Sequence, residues 1–171
     1  MQALLKAFWD IASWRRDPGH LPDSSALVVA CALAYAAMSA VQSWMLTGGD
    51  RLFARTLVDL GLLVLLVWGL LSSTGRAGRL NQTLAAVLGT GALLSPLVIL
   101  LLALRAPAQA SHAVALLVWA GSVAVILWYT FILGHIVRSA LDTGWFTGVA
   151  IAITYIVASA ALLTRIFPEA S

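Results

Sequence analysis

From Ala113 to Val137 the chain reads AVALLVWAGSVAVILWYTFILGHIV, with no Asp, Glu, Lys or Arg and with His135 as its one histidine. At about 1.5 Å per residue, a helix of this length covers the ~30 Å hydrocarbon core of a bilayer with room for tilt. Four further stretches repeat the pattern, one of them carrying an acid, Asp59. The expected fold class is therefore all-α: a polytopic membrane bundle of five transmembrane helices, preceded by an N-terminal amphipathic interfacial helix.

Composition agrees with this. Of the 171 residues only 10% are charged, and those lie in short segments between apolar runs. A soluble domain would carry roughly 25%. No polar stretch is long enough to form a second domain. The expected organisation is an interfacial helix at 1–16 and a single transmembrane domain at 25–166, with spans at about 25–46, 54–73, 83–104, 113–137 and 145–166. The net charge of +3 raises nucleic acid as a partner. The basic residues are instead scattered among the loops, with no aromatic-interleaved patch, so membrane lipid is the expected partner and nucleic acid is not. Cys31 is the only cysteine, which excludes an internal disulfide. Val28-Val29-Ala30-Cys31 superficially fits a lipoprotein cleavage box, but the apolar run continues well past the cysteine, where a signal peptide would end.

At the N-terminus Met1, Leu4, Leu5, Phe8, Ile11 and Ala12 follow helical spacing, with Gln2, Lys6, Asp10 and Ser13 opposite. Trp9 and Trp14 border the apolar face and Arg15-Arg16 follow. Such a helix suits the headgroup region, or equally the end of the bundle, and both placements stay open. Asp17-Pro-Gly-His-Leu-Pro-Asp23 is a breaker-rich turn, after which Asp23, Ser24 or Ser25 can cap the first span. Thr47-Gly-Gly-Asp50 is a tight loop, and Ser72 to Arg79 is a basic one. A further short loop with Pro107 joins spans three and four, and Phe167-Pro168 ends the last span.

Asp59 lies about 7 Å inside the expected second span, with Arg55 one turn earlier on the same face. Intramembrane acids are costly and often mark ion or proton sites. The plainer reading, a carboxylate paired with Arg55 and snorkelling to the interface, is the expectation taken. In span three Gly89, Gly91 and Ser95-Pro96 predict close helix packing and a kink. Span four ends in Gly134-His135-Ile-Val-Arg138, with Asp142 beyond. His135 shares a face with Arg138, and Arg138 with Asp142. These groups suit an anionic headgroup or a partner's acid, or simply snorkel. In span five Gly144-Trp-Phe-Thr-Gly148, extended by Ala152, sets small residues one turn apart, which supports internal packing more than homodimerisation.

With the N-terminus inside, six basic residues (Lys6, Arg15, Arg16, Arg76, Arg79, Arg138) lie in cytoplasmic segments and four (Arg51, Arg55, Arg105, Arg165) outside. That favours an N-in, C-out topology. Nine Arg against one Lys, with abundant Ala and Leu, points to a GC-rich bacterial genome and so to a bacterial inner membrane.

The sequence holds no HExxH, CxxC, GxSxG or P-loop. His20, His112 and His135 fall on three different segments, and no acid pair lies inside a span. No cofactor, metal site or catalytic residue is expected. The expected function is a non-catalytic integral membrane protein that binds, organises or stabilises another membrane protein complex. Its contacts would run through small-residue helix faces and the rim Arg15, Arg16, Arg76, Arg79 and Arg138. The alternative is a small oligomeric transporter or channel with Asp59 as its ion-responsive residue.

The amphipathic start, the Pro-rich turn and five spans, with Arg79-Leu-Asn-Gln-Thr-Leu-Ala-Ala-Val-Leu-Gly-Thr-Gly91 and Gly134-His-Ile-Val-Arg138, resemble the Yip1-like membrane proteins of proteobacteria. The Asp-Leu-Tyr-Gly-Pro segment of eukaryotic members is missing, so trafficking and small-GTPase binding do not carry over. The resemblance implies a membrane location and little more.

Overall fold

The computed structural model describes residues 2–49, 51–105 and 111–167. Among them are six α-helices, two 3-10 turns and no strand. The helices are α1 (Gln2–Ala12), α2 (Ser25–Thr47), α3 (Leu52–Ser73), α4 (Leu80–Ala103), α5 (His112–Leu141) and α6 (Trp145–Ile166). Helices α2 to α6 are each long and apolar enough to cross a bilayer, which makes this a multi-pass membrane protein. Pro107, Asp50 and Pro168, which the sequence places in turns, lie outside the described residues.

Helix limits follow local chemistry. Ser24 caps α2, its side chain accepting from the Leu27 N–H at 3.4 Å. Gly48 closes α2 in the left-handed region, at φ 69. The N-terminal helix stops at Ala12, short of the expected limit, because Trp14 turns left-handed at φ 57 and the Arg15 N–H folds back to the Asp10 carbonyl at 2.8 Å. Helix α5 does not stop at Val137 as the apolar pattern predicts; it runs on to Leu141, where Asp142 ends it at φ 45. Arg138, like His135, is therefore a helical residue. Helix α4 runs unbroken through Pro96, which cannot offer an N–H to the Ala92 carbonyl.

The bundle has two ends. The proximal end holds α1 and the turns around 13–24, 74–79 and 142–144. At the distal end α2, α4 and α6 finish while α3 and α5 begin. Helix α4 is the hub, packed against α1, α2, α3 and α5. Its residues Ala85 to Thr90 are almost all small or medium-sized and fully enclosed. Burial on α4 ends at Ser95, and on α5 it is concentrated between Thr130 and Leu141. The packed core thus occupies the proximal half.

Two glycine contacts set that packing. A Cβ at Gly148 would collide with the Gly134 carbonyl, and one at Gly134 would come within 2.8 Å of the Val149 side chain, so α5 and α6 touch backbone to backbone. The small-residue spacing of span five serves this internal contact. At Gly89 a Cβ would run into the Phe8 ring: α1 turns Ala7, Phe8, Ile11 and Ala12 into the bundle and leaves Leu4, Leu5 and Trp9 outward. The indole of Trp128 on α5 donates to the Ala12 carbonyl at 3.1 Å, and Trp9 packs edge-on against the same indole with ring centres 6.0 Å apart.

Candidate functional site

A charge cannot be left bare in hydrocarbon, so the first question is what Asp59 meets. It lies on α3, seven residues beyond Leu52 and so about 10 Å along the helix. It is half-buried and turned into the bundle. The Tyr35 hydroxyl on α2 donates to its Oδ2 at 2.7 Å, a short charge-assisted bond. Ser39, one turn further along α2, is within polar reach of the same carboxylate. Arg55 acts on Asp59 only through space and makes no ion pair with it, against the sequence expectation. The reason is geometric: Asp59 faces α2, where the Tyr35 hydroxyl meets it directly, whereas the Arg55 guanidinium one turn away on its own helix does not come within pairing distance. Thr56, on the preceding turn of α3, is buried with its hydroxyl unpaired.

Two more phenols join the group. Tyr129 on α5 and Tyr155 on α6 lie close enough to Asp59, and to each other, to interact electrostatically. Gly91 of α4 makes room for them: a Cβ there would stand 2.9 Å from the Tyr35 ring and 3.8 Å from the Tyr129 hydroxyl. Tyr35, Tyr129 and Tyr155 are all the tyrosines of the chain. Each comes from a different helix, and together they frame one carboxylate.

This group lines a crevice of about 310 Å³, with Gln42, Ser95 and Ser159 as further polar groups and Val98, Val125, Ile126 and Leu163 as aliphatic wall. A second cavity of about 220 Å³ shares Gln42, Val98, Val125 and Ile126 and continues to Leu46 and Arg105. Arg105 follows the end of α4, so the two together lead from the middle of the bundle to its distal end. Towards the proximal end the way is stopped by the packed core around Leu88, Ile132 and Leu133.

The remaining polar positions gather at the proximal rim. Asp142 pairs with Arg79 at 3.0 Å and with Arg76 at 3.2 Å. It does not pair with Arg138, four residues earlier on its own helix. Having left the helix at Asp142, the chain points the carboxylate across to the turn before α4. A hydrogen bond from Arg79, with the charges of Arg79 and Arg76, holds the Asp142 carboxyl below the usual carboxylate range. Arg79 also donates to the Ser139 and Ala140 carbonyls at 3.1 and 3.3 Å, tying α4 to α5. Asn81 donates to Asp23 at 2.8 Å and Gln82 to the Leu21 carbonyl at 3.0 Å, while Ser139 bonds Asp17. His135 Nε2 lies 3.4 Å from the Arg16 carbonyl. A cavity of about 320 Å³ sits among these groups, walled by Asp17, Arg79 and Asp142. Arg15, Arg16 and Arg138 are exposed and make no ion pair among the described residues.

Of the residues singled out by sequence, the structure therefore brings Arg76 and Arg79 together on Asp142 and sets His135 beside Arg16. It leaves Arg138 on an outer face and separates Asp59 from all of them. Among the described residues no three His, Cys, Asp or Glu side chains converge as metal ligands would. The tyrosines were missed. The signal for them is position: Tyr in a membrane protein favours the interfaces, whereas Tyr35 and Tyr155 each stand ten residues, about 15 Å, into their helices. Compared with protein-family models, curated proteins and solved structures, the chain matches none.

Proposed function

We propose that this chain is a small, non-catalytic membrane carrier in which Asp59 is the ion-responsive residue. The observation that carries this reading is the one-ended crevice with a carboxylate and three phenols at its inner limit. A channel needs a continuous path, and the proximal packing interrupts one; a carrier needs a site reached from one side at a time. Asp59 is the only acid in any span, so its protonation or pairing changes the charge of the whole site. In this reading the chain sits in a bacterial inner membrane with its N-terminus cytoplasmic, an orientation that the excess of basic residues on the proximal side supports, so that the crevice faces outward. Part of the same reading is that α1 lies at the cytoplasmic interface, with Leu4, Leu5 and Trp9 towards lipid, and that the plan is that of the Yip1-like proteins.

The test is ion flux in proteoliposomes under imposed proton and potassium gradients. Asp59→Asn is expected to abolish the Asp59-dependent flux while leaving a monodisperse, folded protein. Flux unchanged in that variant, or no flux in the wild type, removes the reading.

A second reading is favoured by the exposed cations Arg15, Arg16 and Arg138 at the proximal rim. In it the chain is an accessory subunit, or a homo-oligomer, that docks an acidic surface of another membrane protein. Gentle extraction of tagged protein followed by mass spectrometry tests this: a stoichiometric partner lost in an Arg15→Ala, Arg16→Ala, Arg138→Ala variant supports it, and recovery of the chain alone removes the heteromeric form.

A further inference from the structure

The crevice combines three features that bear on what it can hold. A single carboxylate stands at its inner limit, aromatic hydroxyls surround that carboxylate, and an aliphatic wall leads away to the distal end. We infer that its ligand is a lipophilic monovalent cation: an ammonium- or phosphonium-type charge placed at Asp59, with an apolar body along Val98, Val125, Ile126 and Leu163. This names the substrate class of the carrier proposed above and rests on that reading.

Four observations lead to this class. First, the sign is set by Asp59, since the side chains that reach it from α2, α5 and α6 are neutral hydroxyls. Arg55, the one cation acting on it, lies on its own helix and does not pair with it. An ionised carboxylate accepts about four hydrogen bonds, and Tyr35 and Ser39 leave capacity for a ligand.

Second, the site is poor for an inorganic divalent ion. Calcium takes roughly 6–8 oxygen ligands, commonly several carboxylates, and magnesium keeps a demanding octahedral shell. One carboxylate and a few phenols do not replace that shell. An organic cation has little hydration to lose, and tyrosine faces attract it.

Third, the size fits. The inner cavity of about 310 Å³ falls at the lower end of the range of small-molecule sites, roughly 300–1,000 Å³, and the outer one of about 220 Å³, with which it shares four lining residues, extends it. Their walls are mostly aliphatic, which suits a body that partitions into the bilayer. Fourth, Arg105 lines the outer cavity, so a second positive charge on the ligand would be repelled there. That limits the ligand to one charge, at its inner end.

The probe is radiolabelled tetraphenylphosphonium in equilibrium dialysis against the full-length chain in a neutral detergent, with triphenylphosphine oxide as an uncharged competitor of similar body. Saturable binding is expected in the wild type, retained in Asp59→Glu and weakened by about tenfold or more in Asp59→Asn, with no competition by the phosphine oxide. Ile126→Trp supplies a variant that leaves Asp59 and Tyr35 in place while narrowing the wall, and it too is expected to bind more weakly. The proposal is overturned by no saturable binding in the wild type, by wild-type affinity in both Asp59→Asn and Ile126→Trp, or by full competition from the uncharged compound. Ion flux in proteoliposomes of the same variants separates the two readings. Asp59-dependent ion flux without phosphonium binding overturns the ligand class and leaves the carrier. Asp59-dependent phosphonium binding without flux supports the site and overturns the carrier.

Discussion

The two halves of this bundle are made from the same helices and differ in what fills the space between them. In the proximal half Gly89, Gly134 and Gly148 remove side chains at contact points, and α1 adds Phe8 and Ile11 to close the remaining gap. In the distal half no residue of α4 beyond Ser95 is buried, and the helices hold a polar group and two cavities between them. Lipid tails are as apolar as leucine, so a membrane helix gains little by hiding leucine from them. Close van der Waals packing and inter-helical hydrogen bonds decide where helices stay together. The difference teaches that close packing, and with it most of what holds the helices together, is concentrated in the proximal half, while the distal half keeps space between its helices.

The sharpest way to break this comparison is to fill the α5–α6 contact. Gly148→Leu places a branched side chain against the Gly134 carbonyl and the Arg138 backbone, neither of which can swing aside. It is expected to cost about 3 kcal/mol, the upper part of the range for overpacking, in reversible unfolding from mixed micelles followed by circular dichroism. An unchanged midpoint would mean that α5 and α6 are not locked as described.

A matched pair of truncations measures the asymmetry directly. Leu133 is 1% exposed in the proximal core, and Leu133→Ala is expected to destabilise by about 2–4 kcal/mol. Leu163 lines the crevice, where a neighbouring void already exists, and Leu163→Ala is expected to cost under about 1 kcal/mol in the same assay. Equal losses would erase the distinction between the halves.

Much of the proximal half was legible in the sequence. The spans follow from length and apolarity, and the small residues of span five announce a close contact. The charged rim was visible as residues but not as pairs: Arg138 and Asp142 suit one helical face, yet the chain leaves the helix at Asp142 and the carboxylate crosses to Arg76 and Arg79. The same limit hid the distal site. Asp59 was conspicuous, and Arg55 was the only partner that spacing along one helix could offer. Tyr35, Tyr129 and Tyr155 are far apart in sequence, and nothing in their local patterns says that three helices turn them to one point. Pairing between helices depends on rotation about each axis, which a strongly apolar sequence barely encodes, because almost every face is apolar.

At the junction of the halves, Gly91→Ala tests whether the tyrosine group depends on the hub helix. The added methyl would press on the Tyr35 ring at 2.9 Å and move its hydroxyl off Asp59. The expected cost is about 2 kcal/mol, the net worth of one hydrogen bond to a charged group, and Tyr35→Phe should cost about the same. Because both act on one bond, the double variant should lose no more than either single one. Additive losses would show that Gly91 serves α4 packing and not the site.

The smallest effect belongs to the rim, and its sign follows from Asp142. The hydrogen bond and charges of Arg79, with Arg76, lower the acidity range of this carboxyl in the folded protein relative to the unfolded chain. A depressed folded value means that the contribution is fully present above the ordinary carboxylate range, about pH 4, and is lost as the pH falls through the lower folded value. The comparison is wild type against Asp142→Asn in thermal unfolding. A small gap in midpoint is expected at neutral pH, closing as the pH is lowered below about 4 and closing also in about 1 M salt, because the pair is exposed and screened. A gap that persisted in acid would have to arise from the left-handed backbone at residue 142 rather than from charge. Asparagine tolerates that conformation nearly as well as aspartate, so the charge pair is the feature this measurement isolates.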